Sequence, residues 1–155
     1  MELSLDEWRK VTDSHLTAAF LMTRAAVSLM GEGALIVNML STRAFMSEKN
    51  TEAYAASKGA LATMTQSLAR VLAPAIRINA VAPGVIHTSL TEARLGDPAF
   101  RRLMVNTTPF PRIGTPQDVA GAIHFLCSED AGFVNGHVLV VDGGWSATNS
   151  VGTSD

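Results

Sequence analysis

The stretch EAYAASKGALATM, residues 52 to 64, holds the chain's only tyrosine, and Lys58 follows Tyr54 by four positions. On a helix, positions i and i+4 share a face with Cβ atoms about 5 to 6 Å apart, so phenol and ammonium can reach the same point. A free phenol of pKa about 10 is ionised to roughly one part in a thousand at pH 7, and a cation within about 4 to 6 Å lowers that pKa by about 1 to 3 units. Tyr54 beside Lys58 is therefore a candidate proton donor and acceptor. Alone the pair is weak evidence, because Tyr-x-x-x-Lys also arises by chance on surface helices.

Two further features give the pair a context. Ser41 lies thirteen residues upstream, at the carboxyl end of the apolar run ALIVNML. Open parallel sheets gather ligands at that edge, and a hydroxyl there can orient a substrate oxygen towards Tyr54. In isolation Ser41 reads more simply as a turn residue bonding its own backbone. Pro83-Gly84 closes the next apolar run, IRINAVA, so a hydroxyl at one strand end and a turn at the next accompany the Tyr–Lys pair.

The elements that must position these residues alternate. Ser4-Leu5-Asp6-Glu7 has the form of a capping box, and Trp8, Val11, Ala18, Ala19, Met22 and Ala26 recur at helical spacing, which predicts one helix over about 5–30. Gly31 and Gly33 break it, and a buried strand is expected over 34–40. A helix rich in Ala, Leu and Met follows over 51–73 and stops before Pro74, then a strand over 76–82. Residues 89 to 113 hold three prolines without a dominant period and read as a lid with short helices. Thr115-Pro116-Gln117-Asp118 opens a helix to about Ser128, and HVLVV is a last strand ending at Asp142-Gly143-Gly144. Such alternation predicts an α/β fold with about three parallel strands and helices on both faces.

Composition narrows the class. With 155 residues, 47% of them hydrophobic and 17% charged, the chain is expected to form one domain over 1–149 with a loose tail at 150–155. A net charge of −2 with scattered Lys and Arg gives no stripe for a phosphate backbone, so nucleic acid is not expected as a partner. No apolar run approaches the roughly 18 residues that cross a bilayer, and no membrane association is expected. A single cysteine, Cys127, and an amino terminus without a secretory pattern fit a reducing cytoplasm.

IVNMLS, YAASK, RINAVAPGVIHT, RIGTPQDVAGAIHFLCS and GHVLVVDGG, in this order and spacing, resemble the carboxyl-terminal half of a short-chain dehydrogenase/reductase. The resemblance covers nearly all of the chain and implies a partial Rossmann-like open sheet. It implies hydride transfer between NAD or NADP and a small carbonyl or alcohol substrate. Tyr54 would be the acid/base, Lys58 would hold the nicotinamide ribose, and Ser41 would orient the substrate. Pro83, Gly84, Ile86 and Thr88 match the segment that touches the nicotinamide end, and 89–113 match the substrate loop.

The chain departs from the family pattern twice. The family's catalytic asparagine lies seven residues after a tryptophan, and counting from Trp8 reaches His15. Either His15 replaces asparagine in a proton relay, or it is a core histidine bonded to a backbone carbonyl. The Gly-rich phosphate loop is also absent, since Gly31-x-Gly33 precedes a strand rather than following one. Without that loop's backbone donors, tight independent binding of NAD(P) is not expected.

In the family's order another strand pairs with the one at 34–40, whose edge is here bare. A homo-oligomer or a complementary amino-terminal half is therefore expected to cover it. Two other readings compete: a cofactor-independent acid/base enzyme such as an isomerase, dehydratase or cyclase, and a non-catalytic interaction module.

Overall fold

The computed structural model describes residues 2–148, and the expected loose tail lies outside them. Three parallel strands, β1 (Ala34–Met39), β2 (Ile76–Pro83) and β3 (Val138–Val141), form one sheet in the order β1-β2-β3. Helix α1 (Leu5–Thr12) continues through a π-helical turn (Asp13–Thr17) into α2 (Ala18–Val27), and α3 (Glu52–Leu72) joins β1 to β2. The excursion after β2 holds α4 (Glu92–Leu95) and α5 (Pro98–Thr107), followed by α6 (Pro116–Cys127), β3 and α7 (Trp145–Thr148).

Alternation along the central strand sorts the two layers. Ala80 and Ala82 of β2 face α3, packing with Leu61 and Ala62 and with Leu16 and Ala19 of the first helical stretch. Val81, between them, points the other way, into Val119 and Leu126 of α6, where Val37 and Leu139 of the flanking strands join it. The side-chain period of two makes one strand serve both cores, and the small Ala80, Ala82 and Ala62 let α3 approach the sheet closely. This is the α/β arrangement with helices on both faces.

Buried polar side chains fasten the connections. Asn79 is 1% exposed; its Nδ2 donates to the Val134 carbonyl (2.8 Å) and its Oδ1 accepts from the His137 amide (2.9 Å), fixing the approach to β3. Asn79→Ala leaves the His137 amide without its partner and takes one of two donors from the Val134 carbonyl, which keeps its bond from Arg77 at 3.1 Å. The expected loss is about 2 kcal/mol, or roughly 4 to 8 °C in Tm for a chain of this size. Thermal and urea unfolding check it, and a loss below about 1 kcal/mol would mean that water or a shifted loop replaces both bonds.

Local signals set the helix ends. Ser4 and Glu7 form the expected capping box on α1, and Thr115 and Asp118 form another on α6. Arg112 grips Asp118 through two bonds of 2.7 Å, which, with the Thr115 bonds, hold the Asp118 carboxyl well below the usual carboxylate range.

The first helix departs from expectation. It ends at Val27, and the π turn inserts one residue into its register. From that turn onward the inward face is Leu16, Ala19 and Thr23, while Met22, placed on the buried stripe by sequence spacing, is 70% exposed.

The sheet leaves an edge open. Among the described residues β1 pairs only with β2, and its other side carries no strand.

Candidate active site

The carboxyl ends of β1 and β2 and the first turns of α3 converge on a cleft of about 450 Å³. Ser41, Tyr54, Pro83, Gly84, Ile86 and Thr88 all line it. Residues 42 positions apart in sequence, Ser41 and Pro83, meet there because β1 and β2 run in parallel with Met39 opposite Val81. Lys58 and His15 do not line the cleft. Both lie against the Tyr54 ring instead.

Lys58 is 7% exposed. Its Nζ donates to the Met39 carbonyl at 2.8 Å and lies 5.6 Å from the Tyr54 ring centroid. Burial pushes its pKa below the ordinary lysine value, as expected for a cation withdrawn from water. Among the described residues it has no carboxylate partner. An ammonium has three donors, and the Met39 carbonyl takes one.

His15 sits in the π turn, its ring edge-on to Tyr54 with centroids 5.0 Å apart and planes at 84°. Burial first, and the charge of Lys58 second, hold its pKa below the ordinary histidine value. No hydrogen bond from its ring to a backbone carbonyl is present among the described residues, so the core-histidine arrangement is not the one found. A π turn is a frequent local feature of functional sites, and here it falls on the residue that contacts the phenol.

Ser41 is a turn residue bonded to nearby backbone and also a wall of the cleft. Its Oγ accepts from the Arg43 amide at 3.2 Å, capping the short 3-10 turn Thr42–Ala44, and the same side chain borders the cleft. Accepting at Oγ leaves the O–H proton free to donate.

Gly84 is required by packing rather than by backbone freedom. A Cβ there would lie 2.7 Å from the Asp142 Cβ and 3.1 Å from its Cα, closer than folded proteins allow. The turn after β2 thus lies directly on the end of β3. The sharp exit of β3 uses Gly143, whose φ of +66° favours glycine.

Other cleft walls are apolar: Met39, Leu40, Leu90, Val119 and Ile123, with Thr91 as a further hydroxyl. Among the described residues no charged side chain lines it. Of the lid residues, Leu90 reaches the cleft, whereas Leu95 and Met104 are buried. A smaller hollow of about 240 Å³, beside Arg112 and Trp145, contains none of the tyrosine, lysine or serine candidates.

Sequence reasoning did not single out Leu40, Thr91, Arg43, Glu48 or Arg94. Ser41 after β1 and Pro83-Gly84 at the end of β2 pointed to the cleft. Nothing local marked the charged residues around it.

A parallel sheet with the tyrosine helix packed on one face and its first turn at the carboxyl ends of the strands has close counterparts. The family model described as enoyl-(acyl carrier protein) reductase matches residues 1–146. Cyclopentanol dehydrogenase of Comamonas sp. is 38% identical over 149 residues, covering 94% of this chain and 60% of that protein. For 5-keto-D-gluconate 5-reductase of Escherichia coli the identity is 38% over 146 residues, 92% of this chain and 58% of that one. The solved structure of a 4-hydroxyisoleucine dehydrogenase complexed with NADH superposes with a TM-score of 0.89 at 36% identity, covering 94% of this chain and 62% of that one. The chain belongs to the short-chain dehydrogenase/reductase family, and it spans about 60% of the length of the curated relatives it matches.

Proposed function

We propose that the protein is an oxidoreductase that interconverts a small alcohol and its carbonyl compound with NAD or NADP. The observation that carries this reading is the placement of Tyr54 and Ser41 on one cleft wall, with the buried Lys58 amine against the tyrosine ring.

Each side chain has a task that its remaining hydrogen-bonding capacity fits. Ser41 accepts from its own turn, so its O–H donates to the substrate oxygen and fixes the substrate's orientation. Tyr54 Oη passes the proton to that oxygen in reduction and takes it back in oxidation. Lys58 has two N–H donors beyond the Met39 carbonyl for the hydroxyls of a ribose. His15, in contact with the phenol ring, links the tyrosine to a proton reservoir in place of the family's asparagine.

Pro83, Gly84, Ile86 and Thr88 would hold the nicotinamide end, and they border the cleft that Tyr54 borders. The cofactor would supply or accept the hydride at the substrate carbon. Nothing in these 155 residues provides the phosphate loop, so the fit extends to the nicotinamide riboside end alone and does not choose between NAD and NADP. Uncharged, largely apolar cleft walls favour an uncharged substrate, because a carboxylate there would lose its water without a partner.

The open β1 edge and the exposed Phe20, Leu21 and Leu29 support association with a second copy or a complementary amino-terminal half. The described residues contain no helix long and apolar enough to cross a membrane, and the single, unpaired Cys127 accords with a reducing cytoplasm.

Titration with NADH and NADPH, followed by nicotinamide fluorescence, tests the reading. Saturable binding of at least one is expected. No saturation by about 1 mM, a binding free energy weaker than about −4 kcal/mol, would sink it.

A further inference from the structure

One carboxylate outside the tyrosine–lysine–serine group joins the parts that form the cleft. Glu48 lies on the loop between Ser41 and Tyr54. Its Oε2 pairs with Arg43, two residues after Ser41, and its Oε1 takes Arg94 of α4 at 3.0 Å. The Glu48 backbone is fixed at the entrance to α3, where Thr51 Oγ1 accepts from the Glu48 amide (3.2 Å) and donates to the Glu48 carbonyl (2.7 Å).

Both guanidinium groups are seated on aromatic rings. Arg43 lies 5.2 Å from the Trp145 ring centroid of α7, and Arg94 lies 4.1 Å from that of Phe100 in α5. Each ring attracts the cation over it and helps to fix its position. A chain of contacts therefore runs from α7 through the serine turn and Glu48 to α4 and α5. Leu90 and Thr91, just before α4, line the cleft.

We propose that Glu48 is a positioning residue that clasps the α4–α5 excursion to the turn carrying Ser41 and so sets the shape of the substrate end of the cleft. An isolated surface ion pair contributes little. This one differs in three ways. The Arg43 side chain is only 14% exposed and that of Glu48 33%, a single anion stands between two cations, and aromatic rings fix both cations. Removing the anion leaves two like charges facing each other, so the excursion loses an attraction and gains a repulsion.

Glu48 does not line the cleft, and Tyr54 and Lys58 hold their positions through α3 and the Met39 carbonyl. Loss of the clasp should therefore weaken substrate binding and leave the chemical step almost intact. That kinetic consequence rests on the oxidoreductase reading; the clasp itself does not.

The test compares Glu48→Gln and Glu48→Asp with the unchanged protein by amide hydrogen exchange and by steady-state kinetics. In Glu48→Gln, exchange over residues 90–107 is expected to quicken about tenfold while that of α6 stays the same. KM is expected to rise about tenfold with kcat within about twofold, a uniform-binding loss. Glu48→Asp is expected to restore part of both.

Unchanged exchange over 90–107 would overturn the proposal, as would a fall in kcat at constant KM. If the unchanged protein shows no dehydrogenase activity, the oxidoreductase reading fails, and the exchange measurement alone decides the clasp.

Discussion

Tyr54→Phe is expected to lower turnover of a carbonyl substrate about a thousandfold, within the roughly 10² to 10⁴ that a positioned proton donor contributes. The substitution removes one oxygen and keeps the ring. The edge contact with His15 and the Lys58 amine 5.6 Å from the centroid both depend on the ring, so they survive. The cleft keeps its shape and Ser41 keeps its bond to the Arg43 amide.

What would be lost is the one phenol among the described cleft walls, the group that on this reading both gives and takes a proton at the substrate oxygen. Ser41, Thr88 and Thr91 are aliphatic alcohols, far too weakly acidic to stand in. The loss should fall on kcat and kcat/KM together, as for an interaction made in the transition state, with nicotinamide titration and Tm unchanged. A phenylalanine variant that retained more than about a tenth of the activity would remove Tyr54 from the chemistry.

Interactions made within a few residues announce themselves in the sequence. The capping boxes at Ser4 and Thr115, the stop of α3 before Pro74 and the strand beginning at Ile76 follow from contacts within a few residues. The Tyr54–Lys58 pair was legible for the same reason, since helical spacing alone brings an amine beside a ring. Ser41 was legible only by position at a strand end. Its bond to the Arg43 amide and its place on the cleft prove compatible, because a hydroxyl has both a donor and acceptor sites.

The rest depended on distance along the chain. Glu48 meets Arg94 across 46 positions, and Asn79 meets Val134 and His137 across 55 and 58. Neither partner has a local pattern that names the other, and only the parallel register and the folded excursion bring them together. The π turn at Asp13–Thr17 was hidden for a different reason. It changes the helical period by one residue within an otherwise regular stripe, so continuous spacing carries His15 and Met22 onto one face when the structure separates them.

That separation gives the second large effect. If His15 serves the proton relay, His15→Asn should preserve or raise activity, since an amide both donates and accepts, whereas His15→Leu should abolish it, a loss of about a hundredfold or more. Acid pH distinguishes the variants further. Burial and the nearby Lys58 charge hold the His15 pKa below the ordinary value, so the ring is neutral at pH 7 with one donor and one acceptor.

As pH falls through the lowered pKa, a second cation appears beside Lys58 and the acceptor disappears; wild-type turnover should decline there, and the asparagine variant should lack that decline. Stability carries the same sign. The unfolded chain binds the proton more readily, so the His15 contribution is complete above the ordinary pKa of about 6.5 and diminishes as pH drops from there through the lowered folded value. Rate profiles and Tm measured against pH for the three proteins read both effects. Equal rates for the asparagine and leucine variants would confine His15 to packing against the tyrosine ring.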